Sequence, residues 1–409
     1  MPRLLLYYHF FHPDDVVSAR HFGDLAEEQR RRGWQVTVLT SNRSCRQRGQ
    51  TFAPHESWNG IEIHRVFRPD WDQSRPLSRL LNSAWMIAGW FLRTLRLGRF
   101  DAIIVGSDPA FSPALALGLR LAYPRAALAH WCFDLYPEAI QAEGNGAAVR
   151  ALAPVARRLM ALSYRAYDAL VDLGPRMQAR LAAYGSDAVR ETLVPWALAE
   201  AEHVAAADPA VRAELFGGAR LGLLYSGNLG RAHEFEPFLR LARACRARSG
   251  DAISFCFAAR GYREPELRGA VTPADTNVRF APFADESALV ARLEAADLHL
   301  LSLRPEWSGI VVPSKFFGSL AVGRPVLYAG PADSEVATWI AQHDVGLRIA
   351  EDEVDAAADR LHALLANASD LARWQANALA VYQREFSKSA VNDRWDALLR
   401  RLVARRGHI

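Results

Sequence analysis

Two short segments in the second half of the 409-residue chain carry the residues best suited to holding a phosphate group. In the first, Gly227 and Gly230 surround Asn228 directly after an apolar run, and Arg231 follows. Glycine lets the backbone approach a ligand closely, as a diphosphate site requires, and the arginine guanidinium is a forked donor that matches phosphate oxygens. The alternative is a plain strand-to-helix turn with a solvated arginine.

The second segment is Pro313-Ser314-Lys315, which precedes a helix predicted from Phe316. Serine is a common N-cap, and a helix N-terminus offers unpaired N–H groups and a positive dipole that together bind phosphate. Lys315 adds a point charge in a chain whose only other lysine is Lys388. An ordinary capped helix with a solvated lysine is the alternative interpretation.

Acidic and polar candidates lie in the first half of the chain. Asp134 and Glu138 follow the buried run at 126–133, and polar residues beyond the carboxyl end of a strand usually face a ligand. For Asp134 the alternative is capping of the following turn. The same argument selects residues after the first apolar run, at 4–8, as further candidates: His9, Ser18 and Arg20.

Short apolar runs alternate with helical patterns along almost the whole chain, which is the pattern of βαβ units and parallel sheets. We predict an α/β chain with two doubly wound, Rossmann-like domains, 1–195 and 196–382, that face a central cleft. Ligands of open α/β sheets bind beyond the carboxyl ends of the strands, so these ends should line the cleft. A C-terminal helix of about 383–409 is expected to cross back and pack on the first domain.

The net charge of +4 rests almost wholly on arginine and favours an anionic partner. The candidates are a nucleotide diphosphate, an anionic membrane surface or a nucleic acid. The chain carries no aromatic-interleaved basic motif or zinc-finger spacing, so nucleic acid is not expected. The four cysteines have no metal-ligand spacing, and we expect no metal ion or other cofactor.

The start of the chain lacks the pattern of a signal peptide, and no apolar stretch approaches the roughly 20 residues of a spanning helix. We therefore predict a cytoplasmic protein, either free or peripheral on the inner face of the cytoplasmic membrane. The segment 75–99 bears on this choice, because basic and aromatic residues on one helix can lie on an anionic membrane. A helix packed on the sheet with solvated arginines is the equally weighted alternative. The residues concerned are Trp85, Met86, Trp90 and Phe91 with Arg75, Arg79, Arg93 and Arg96.

With this layout, the chain resembles the retaining transferases of glycosyltransferase family 4, in particular the bacterial polysaccharide and lipid-linked sugar transferases whose donor loop reads P-S-K. The resemblance rests on RRGWQVTVLT at 31–40, DLYPE at 134–138, YSGNLGR at 225–231 and PSK at 313–315 running through GRP at 323–325. It implies the two-domain GT-B architecture and a nucleotide-sugar donor, with a UDP-sugar favoured over a GDP-sugar. It also implies a glycan or lipid-linked acceptor, retention of anomeric configuration, and a role in bacterial cell-envelope polysaccharide biosynthesis.

Residue roles follow from the same resemblance. The catalytic residues are predicted to be Asp134, Arg231 and Lys315. The donor is assigned to Gly227, Asn228, Gly230, Arg231, Pro313, Ser314, Lys315, Gly318 and Glu335. The acceptor side is assigned to His9, Ser18, Arg20 and Glu138. Arginine, lysine and the helix dipole are expected to replace a divalent cation at the leaving diphosphate.

The chain departs from the family pattern at the donor ribose. Many members place a glutamate three residues after the lysine, where it holds the ribose hydroxyls, and another eight residues earlier; this chain has Gly318 and Ile310 there. Glu306 lies nearby but out of register, whereas Glu335 can reach the ribose from the next helix, unless the helix dipole alone explains it. Two rival functions stay open: a nucleotide-sugar epimerase of the same architecture, and a non-catalytic nucleotide-sugar-binding protein.

Overall fold

The computed structural model describes residues 1–14, 16–45, 47, 49–72, 76–144, 146–283, 286–350 and 352–407. The chain divides into two compact units: unit 1 comprises Met1–Val194 with Val391–Ile409, and unit 2 comprises Pro195–Ala390. Arg75, one of the basic residues singled out in the sequence, lies outside the described residues.

Unit 1 is built on an eight-stranded sheet with the order β3-β4-β2-β1-β5-β6-β7-β8. The strands are β1 (Arg3–Tyr7), β2 (Gln35–Ser41), β3 (His55–Trp58), β4 (Ile61–Val66), β5 (Ala102–Gly106), β6 (Ala127–Trp131), β7 (Ala169–Asp172) and β8 (Val189–Thr192). All neighbours pair in parallel except β3, which runs antiparallel to β4 at the edge. The strand order reverses between β1 and β5, which makes their carboxyl ends the expected ligand-binding edge of this sheet.

Helices connect these strands on both faces of the sheet. They are α1 (Val17–Arg31), α2 (Pro76–Thr94), α3 (Leu115–Ala122), α4 (Glu138–Glu143), α5 (Ala147–Arg165) and α6 (Pro175–Ala182). The chain steps across the sheet in one direction through α2, α3 and α5, and in the opposite direction through α1. Crossovers between parallel strands are almost always right-handed, so α2, α3 and α5 share one face and α1 lies on the other.

Unit 2 contains a six-stranded parallel sheet with the order β11-β10-β9-β12-β13-β14. The strands are β9 (Leu221–Asn228), β10 (Ile253–Arg260), β11 (Val278–Phe280), β12 (Leu298–Ser302), β13 (Val326–Ala329) and β14 (Gly346–Ile349). The helices are α7 (Pro209–Phe216), α8 (Glu236–Ser249), α9 (Glu264–Ala270), α10 (Glu286–Ala295), α11 (Lys315–Ala321), α12 (Glu335–His343), α13 (Val354–Ala366) and α14 (Ser369–Val381). Here the order reverses between β9 and β12.

The end of the chain returns to unit 1. After α14, Tyr382–Phe386 forms one π-helical turn, and α15 (Lys388–Gly407) belongs to unit 1 from Val391 onward. The buried Trp395 packs edge-on against Trp131 of β6, and Trp34 donates its indole N–H to Asp396 at 2.9 Å. The prediction of an α/β chain with two parallel-sheet domains is confirmed. Within the described residues no helix combines the length and apolar character needed to span a membrane.

Candidate functional site

Lys315 is the central residue of the candidate site in unit 2. It lies at the start of α11, and its Nζ donates to the backbone oxygen of Asn228, at the end of β9, at 2.9 Å. The same ammonium is 4.9 Å from the centre of the Tyr225 ring. Burial lowers the pKa of Lys315 to about 8, which still leaves it mostly protonated at pH 7. An ammonium has three N–H donors, so a bound anion can accept from those that Asn228 does not use.

Gly227 is required for this arrangement. Its φ is +131°, a conformation that side-chain-bearing residues rarely adopt, and a methyl group added there would lie 2.7 Å from Cε of Lys315. Gly261 limits the same corner, because a methyl group at that position would lie 2.3 Å from the side-chain oxygen of Asn228. The two glycines therefore let the end of β9 and the side chain of Lys315 come together at the point where the strand order reverses.

We expect Gly227→Ala to weaken binding of a nucleoside diphosphate and to lower thermal stability. The added methyl displaces Lys315, and an unfavourable backbone conformation costs about 1–3 kcal/mol. Calorimetric titration with UDP and thermal unfolding measure the two effects. Gly269→Ala is the matched control, because Gly269 lies in α9 with no described heavy atom within 4 Å of the added methyl. Unchanged UDP affinity in Gly227→Ala would show that the contact with Lys315 is irrelevant to the ligand.

Arg231 follows the same strand and is exposed. Its guanidinium stacks on the ring of Tyr262 with 4.0 Å between the guanidinium carbon and the ring centre. Stacking holds the planar group in place and leaves its N–H donors in the plane of the fork, where they can reach phosphate oxygens. Gly230 precedes it, and a methyl group at Gly230 would lie 3.0 Å from the amide nitrogen of Asn228.

The start of α11 differs from the prediction. Ser314 occupies the N-cap position, but its φ and ψ are helical and no side-chain cap bond from it is present among the described residues. Two first-turn amides are used locally, since Phe316 donates to Pro313 at 3.1 Å and Gly318 to Ser314 at 3.4 Å. The helix is also only seven residues long. The charge of Lys315, rather than a side-chain-capped helix end, is therefore the principal cationic feature here.

The two positions considered for the ribose differ in accessibility. Gly318 is partly exposed, and no described heavy atom lies within 4 Å of a methyl group built there. Glu335 is only 1 % exposed in the first turn of α12, where Ser334 caps the helix by accepting from Ala337 at 3.4 Å. Ile310, at the place of the other family glutamate, is buried.

His233 and Glu234 belong to this corner, although the sequence interpretation passed over them. His233 donates through Nδ1 to the backbone oxygen of Ser302 at 2.9 Å, and burial, with the charge of Lys315, lowers its pKa to about 3. The imidazole is therefore neutral, with Nε2 as an acceptor. Glu234 forms an ion pair with Arg304 and bonds twice to Ser302 through its backbone. These contacts fix the end of β12 beside the turn that carries Arg231.

In unit 1, Asp134 lies just beyond the end of β6 and is partly buried. The backbone amides of Phe133 and Asp134 both donate to Oγ of Ser107 at 3.2 Å, which fixes the loop. Burial, reinforced by the charges of Asp108 and Glu143, raises the pKa of Asp134 to about 7. A carboxyl group with a pKa near neutrality can take up and release a proton at the pH of a cell, as general acid–base chemistry requires.

His9 lies at the end of β1, where the strand order reverses, and both of its ring nitrogens have partners. Arg68 donates to Nε2 at 2.9 Å, so the proton is on Nδ1, which donates to Asp108 at 3.1 Å. The sequence interpretation selected His9 but missed Arg68 and Asp108, which are 59 and 99 residues away. Phe10 stacks on the His9 ring with 3.9 Å between the ring centres, so the imidazole is contacted on one face as well as at both nitrogens.

The remaining acceptor-side candidates have partners within unit 1. The Ser18 hydroxyl bonds to the buried Tyr8, and Arg20 is partly buried on α1. Glu138 is buried, and its carboxylate accepts from the Tyr184 hydroxyl at 2.7 Å and from Arg157 at 3.0 Å. The bonds to Glu138 join the start of α4 to α5 and to the end of α6.

Within the described parts of the chain, no three His, Cys, Asp or Glu side chains come together in a way that could hold a metal ion. One acidic pair was overlooked in the sequence: Asp70 and Asp72 flank Trp71 with D-x-D spacing. The nearest oxygen of Asp70 lies 4.0 Å from Nη1 of Arg43. The Asp70 side chain is about half exposed.

Residues 18–197 match the family model described as a glycosyl transferase 4-like domain. No curated protein matches the chain in sequence. Residues 18–197 therefore resemble a glycosyl transferase 4-like domain, and this similarity supports an enzyme of the hexosyltransferase type.

Solved structures match over almost the full length. Sucrose-phosphate synthase from Thermosynechococcus elongatus has a TM-score of 0.71 and 15 % identity, covering 99 % of this chain and 100 % of that one. HepE of Anabaena in complex with UDP has a TM-score of 0.66 and 14 % identity, covering 98 % and 99 %. WaaG, a glycosyltransferase involved in lipopolysaccharide biosynthesis, has a TM-score of 0.61 and 16 % identity, covering 96 % and 99 %. The shared fold is that of the GT-B glycosyltransferases.

Proposed function

We propose that the protein transfers a sugar from a nucleotide-diphosphate donor to a glycan or lipid-linked acceptor, with retention of anomeric configuration and without a metal ion. The observation that carries this proposal is the position of Lys315. Its ammonium is held against the end of β9, beside a glycine that no larger residue can replace without displacing it. A cation and an accessible backbone at the switch point of a parallel sheet suit a diphosphate. The UDP bound by HepE favours a UDP-sugar over a GDP-sugar as the donor.

Breaking the bond between sugar and diphosphate leaves negative charge on the departing phosphate. Lys315 and Arg231 stabilise that charge more in the transition state than in the ground state, which lowers the barrier. The backbone at Gly227, Asn228 and Gly230 can approach the diphosphate closely. Pro313 and Ser314 position the lysine. Asp134 orients the donor sugar or accepts the proton of the acceptor hydroxyl, and His9, Ser18 and Arg20 shape the acceptor side.

We infer a place for the enzyme in cytoplasmic assembly of a bacterial cell-envelope polysaccharide. The support is the resemblance of the P-S-K loop to polysaccharide transferases and the fold shared with WaaG. A nucleotide-sugar epimerase of the same fold would leave its product on the nucleotide, whereas a transferase releases free nucleoside diphosphate. Mass spectrometry of the products from a UDP-sugar and an acceptor mixture separates these two outcomes, and a non-catalytic binder yields neither product.

A thermal-shift panel of UDP, GDP, ADP and CDP tests the donor. A ligand that binds only the folded state at 100 times its Kd stabilises it by about 2.7 kcal/mol, so the correct nucleotide raises the melting temperature clearly. We expect UDP to give the largest shift and Lys315→Ala to remove it. No shift with any nucleoside diphosphate would contradict the proposal.

Gly318→Glu is expected to be tolerated and to strengthen UDP binding several-fold. The site has room for a side chain, and the resemblance places a ribose-binding glutamate at this position. Gly318→Ala is the control, because it gains the same helix propensity, about 0.5–1 kcal/mol, without the carboxylate. Titration of both variants with UDP decides the matter. Equal affinities would mean that the ribose lies elsewhere, with Glu335 the next residue to test.

Chelation is expected to leave the activity unchanged, because Lys315 and Arg231 take the place of a cation at the diphosphate. Donor turnover is measured with EDTA and again after Mg²⁺ or Mn²⁺ is restored. Asp70→Asn with Asp72→Asn serves as a paired variant, since these residues have the spacing of a two-carboxylate metal motif. Two results together would contradict the metal-free assignment. They are wild-type activity that collapses with EDTA and returns only with metal, and a paired variant that is inactive.

A further inference from the structure

The outer surface of α2 is apolar over its whole length. Exposed positions recur at helical spacing and carry only leucine, alanine and tryptophan: Leu77, Leu80, Leu81, Ala84, Trp85, Ala88 and Leu92, continued by Leu95. The opposite side is also apolar, but it is covered, because Met86 and Trp90 are buried against the sheet and Trp90 donates to the backbone oxygen of Thr40 at 3.2 Å. The helix therefore has one apolar side for the core and a second that faces outward.

Two further helices on this face, α3 and α5, also expose apolar side chains. On α5, large apolar side chains are exposed at intervals of three and four residues: Leu152, Val155, Leu159 and Leu162. On α3, which lies between α2 and α5, Leu117 is exposed and Leu121 is 86 % exposed. Soluble surfaces carry scattered apolar residues, but a continuous apolar patch of this kind marks an interaction site.

The three helices form one surface. α3 packs closely on α2, because a methyl group added at Gly118 would lie 2.8 Å from the Phe91 ring, and Tyr123 donates to the backbone oxygen of Thr94 at 2.7 Å. α3 is tied to the end of α5 by Arg120, which donates to the backbone oxygen of Ala166 at 2.8 Å. We call α2, α3 and α5 together the three-helix face.

The charged residues within the three helices have one sign. The three helices contain seven arginines, two in α2, one in α3 and four in α5, and their sequences include no Asp or Glu. Arg96 and Arg99 follow directly after α2 and extend the basic border. In the rest of the chain acids nearly balance arginines, since the net charge is only +4. Three of the seven arginines pair with acids outside the three helices: Arg79 with Glu143, Arg120 with Asp168 and Arg157 with Glu138. The excess of arginine that remains makes the apolar surface complementary to anionic lipid, where leucine enters the acyl boundary and arginine reaches the headgroups.

We propose that the three-helix face of unit 1 docks on an anionic membrane surface. The hypothesis raised by the sequence for the segment 75–99 thus extends to two helices that the sequence did not single out. Docking of this kind would hold the enzyme at the surface that carries a lipid-linked acceptor. The binding itself is independent of the sugar donor, so it stands or falls separately from the transfer reaction.

Flotation of the full-length protein with lipid vesicles tests the proposal. We expect binding to vesicles of phosphatidylcholine with 30 % phosphatidylglycerol, and much weaker binding to phosphatidylcholine alone or in high salt. The double variant Leu92→Gln with Leu152→Gln removes two of the outermost apolar side chains and should lower the partition coefficient at least about tenfold. The control is Leu198→Gln with Val290→Gln, two exposed apolar residues of unit 2.

A charge variant completes the test. Arg96→Gln, Arg150→Gln and Arg158→Gln together should lower binding about a hundredfold, at about 1 kcal/mol for each arginine near the surface. The control with the same change in net charge is Arg240→Gln, Arg246→Gln and Arg360→Gln in unit 2. Thermal unfolding and the UDP-induced shift should be unchanged in all variants, which separates this result from any failure of the donor site.

Two results would overturn the proposal. The first is wild-type protein that does not float with anionic vesicles, or variants of the face that float as well as the wild type. The second is light scattering that shows an oligomer of the wild type and a monomer of the Leu92→Gln, Leu152→Gln variant, without vesicle binding. That result would assign the face to a second copy of the chain.

Discussion

Lys315→Ala is expected to lower kcat/KM for sugar transfer by about 10²–10³-fold, the usual effect of removing one donor aimed at a developing negative charge. The same change should weaken UDP binding in calorimetric titration, because the ammonium contacts the diphosphate in the ground state as well. Lys388→Ala is a natural control, since these are the only two lysines of the chain, and it should leave both quantities unchanged.

The loss should not come from unfolding. Burial lowers the pKa of Lys315 to about 8, so the folded protein binds this proton less tightly than the unfolded chain does. Burying the charged lysine therefore lowers the free energy of unfolding below pH 8. This loss of stability disappears as the pH rises past the ordinary lysine value of about 10.4. Lys315→Met, which keeps the length without the charge, should have a melting temperature at pH 7 equal to or above that of the wild type. A large fall in melting temperature would instead assign the lysine a structural role.

Asp134→Asn is the second substitution with a large expected effect, a fall in kcat/KM of about 10²–10⁴-fold if this carboxylate takes the acceptor proton. Because the pKa of Asp134 is raised to about 7, the wild-type rate should decline on the acid side of pH 7. That acid limb should be absent from the residual activity of the variant. Glu143→Gln, which removes one of the charges that reinforce the raised pKa of Asp134, should keep the rate at pH 8 and move the acid limb to slightly lower pH without abolishing it.

The stability of Asp134→Asn should move in the opposite direction from its activity. A carboxyl group whose pKa is raised on folding favours the folded state at low pH, and the stability it supports is lost as the pH rises from about 4 to about 7. The asparagine variant carries no charge to desolvate, so its melting temperature should exceed that of the wild type at pH 8 but match it at pH 4. A variant that is less stable at pH 8 would indicate that Asp134 holds the loop together.

The alternation of apolar runs and helical patterns was sufficient to predict both parallel sheets, because each βαβ unit is a local feature of the chain. It also predicted that Gly227 and Lys315 share a site, since the ends of parallel strands meet at one edge of a sheet. The sequence could not show that the Lys315 side chain occupies the space that a side chain at position 227 would need. That contact depends on φ at Gly227 and on the entry of α11, which are set by tertiary packing.

Long-range partners explain the other differences. Glu138 has the sequence context of a ligand-facing residue, but its partner Tyr184 lies 46 residues away and no local pattern links them. His9 depends likewise on Arg68 and Asp108. The helix at 75–99 was ambiguous because α2 has apolar side chains on two opposite sides, and only the fold shows that Met86 is buried while Trp85 and Leu92 face outward.

The most direct test of the central claim is a crystal structure of the chain with UDP. We expect oxygens of the diphosphate to lie about 2.7–2.9 Å from Nζ of Lys315, as is usual for charge-assisted hydrogen bonds, with the guanidinium of Arg231 also in contact. A diphosphate bound elsewhere in the molecule, with Lys315 still bonded only to Asn228, would contradict it.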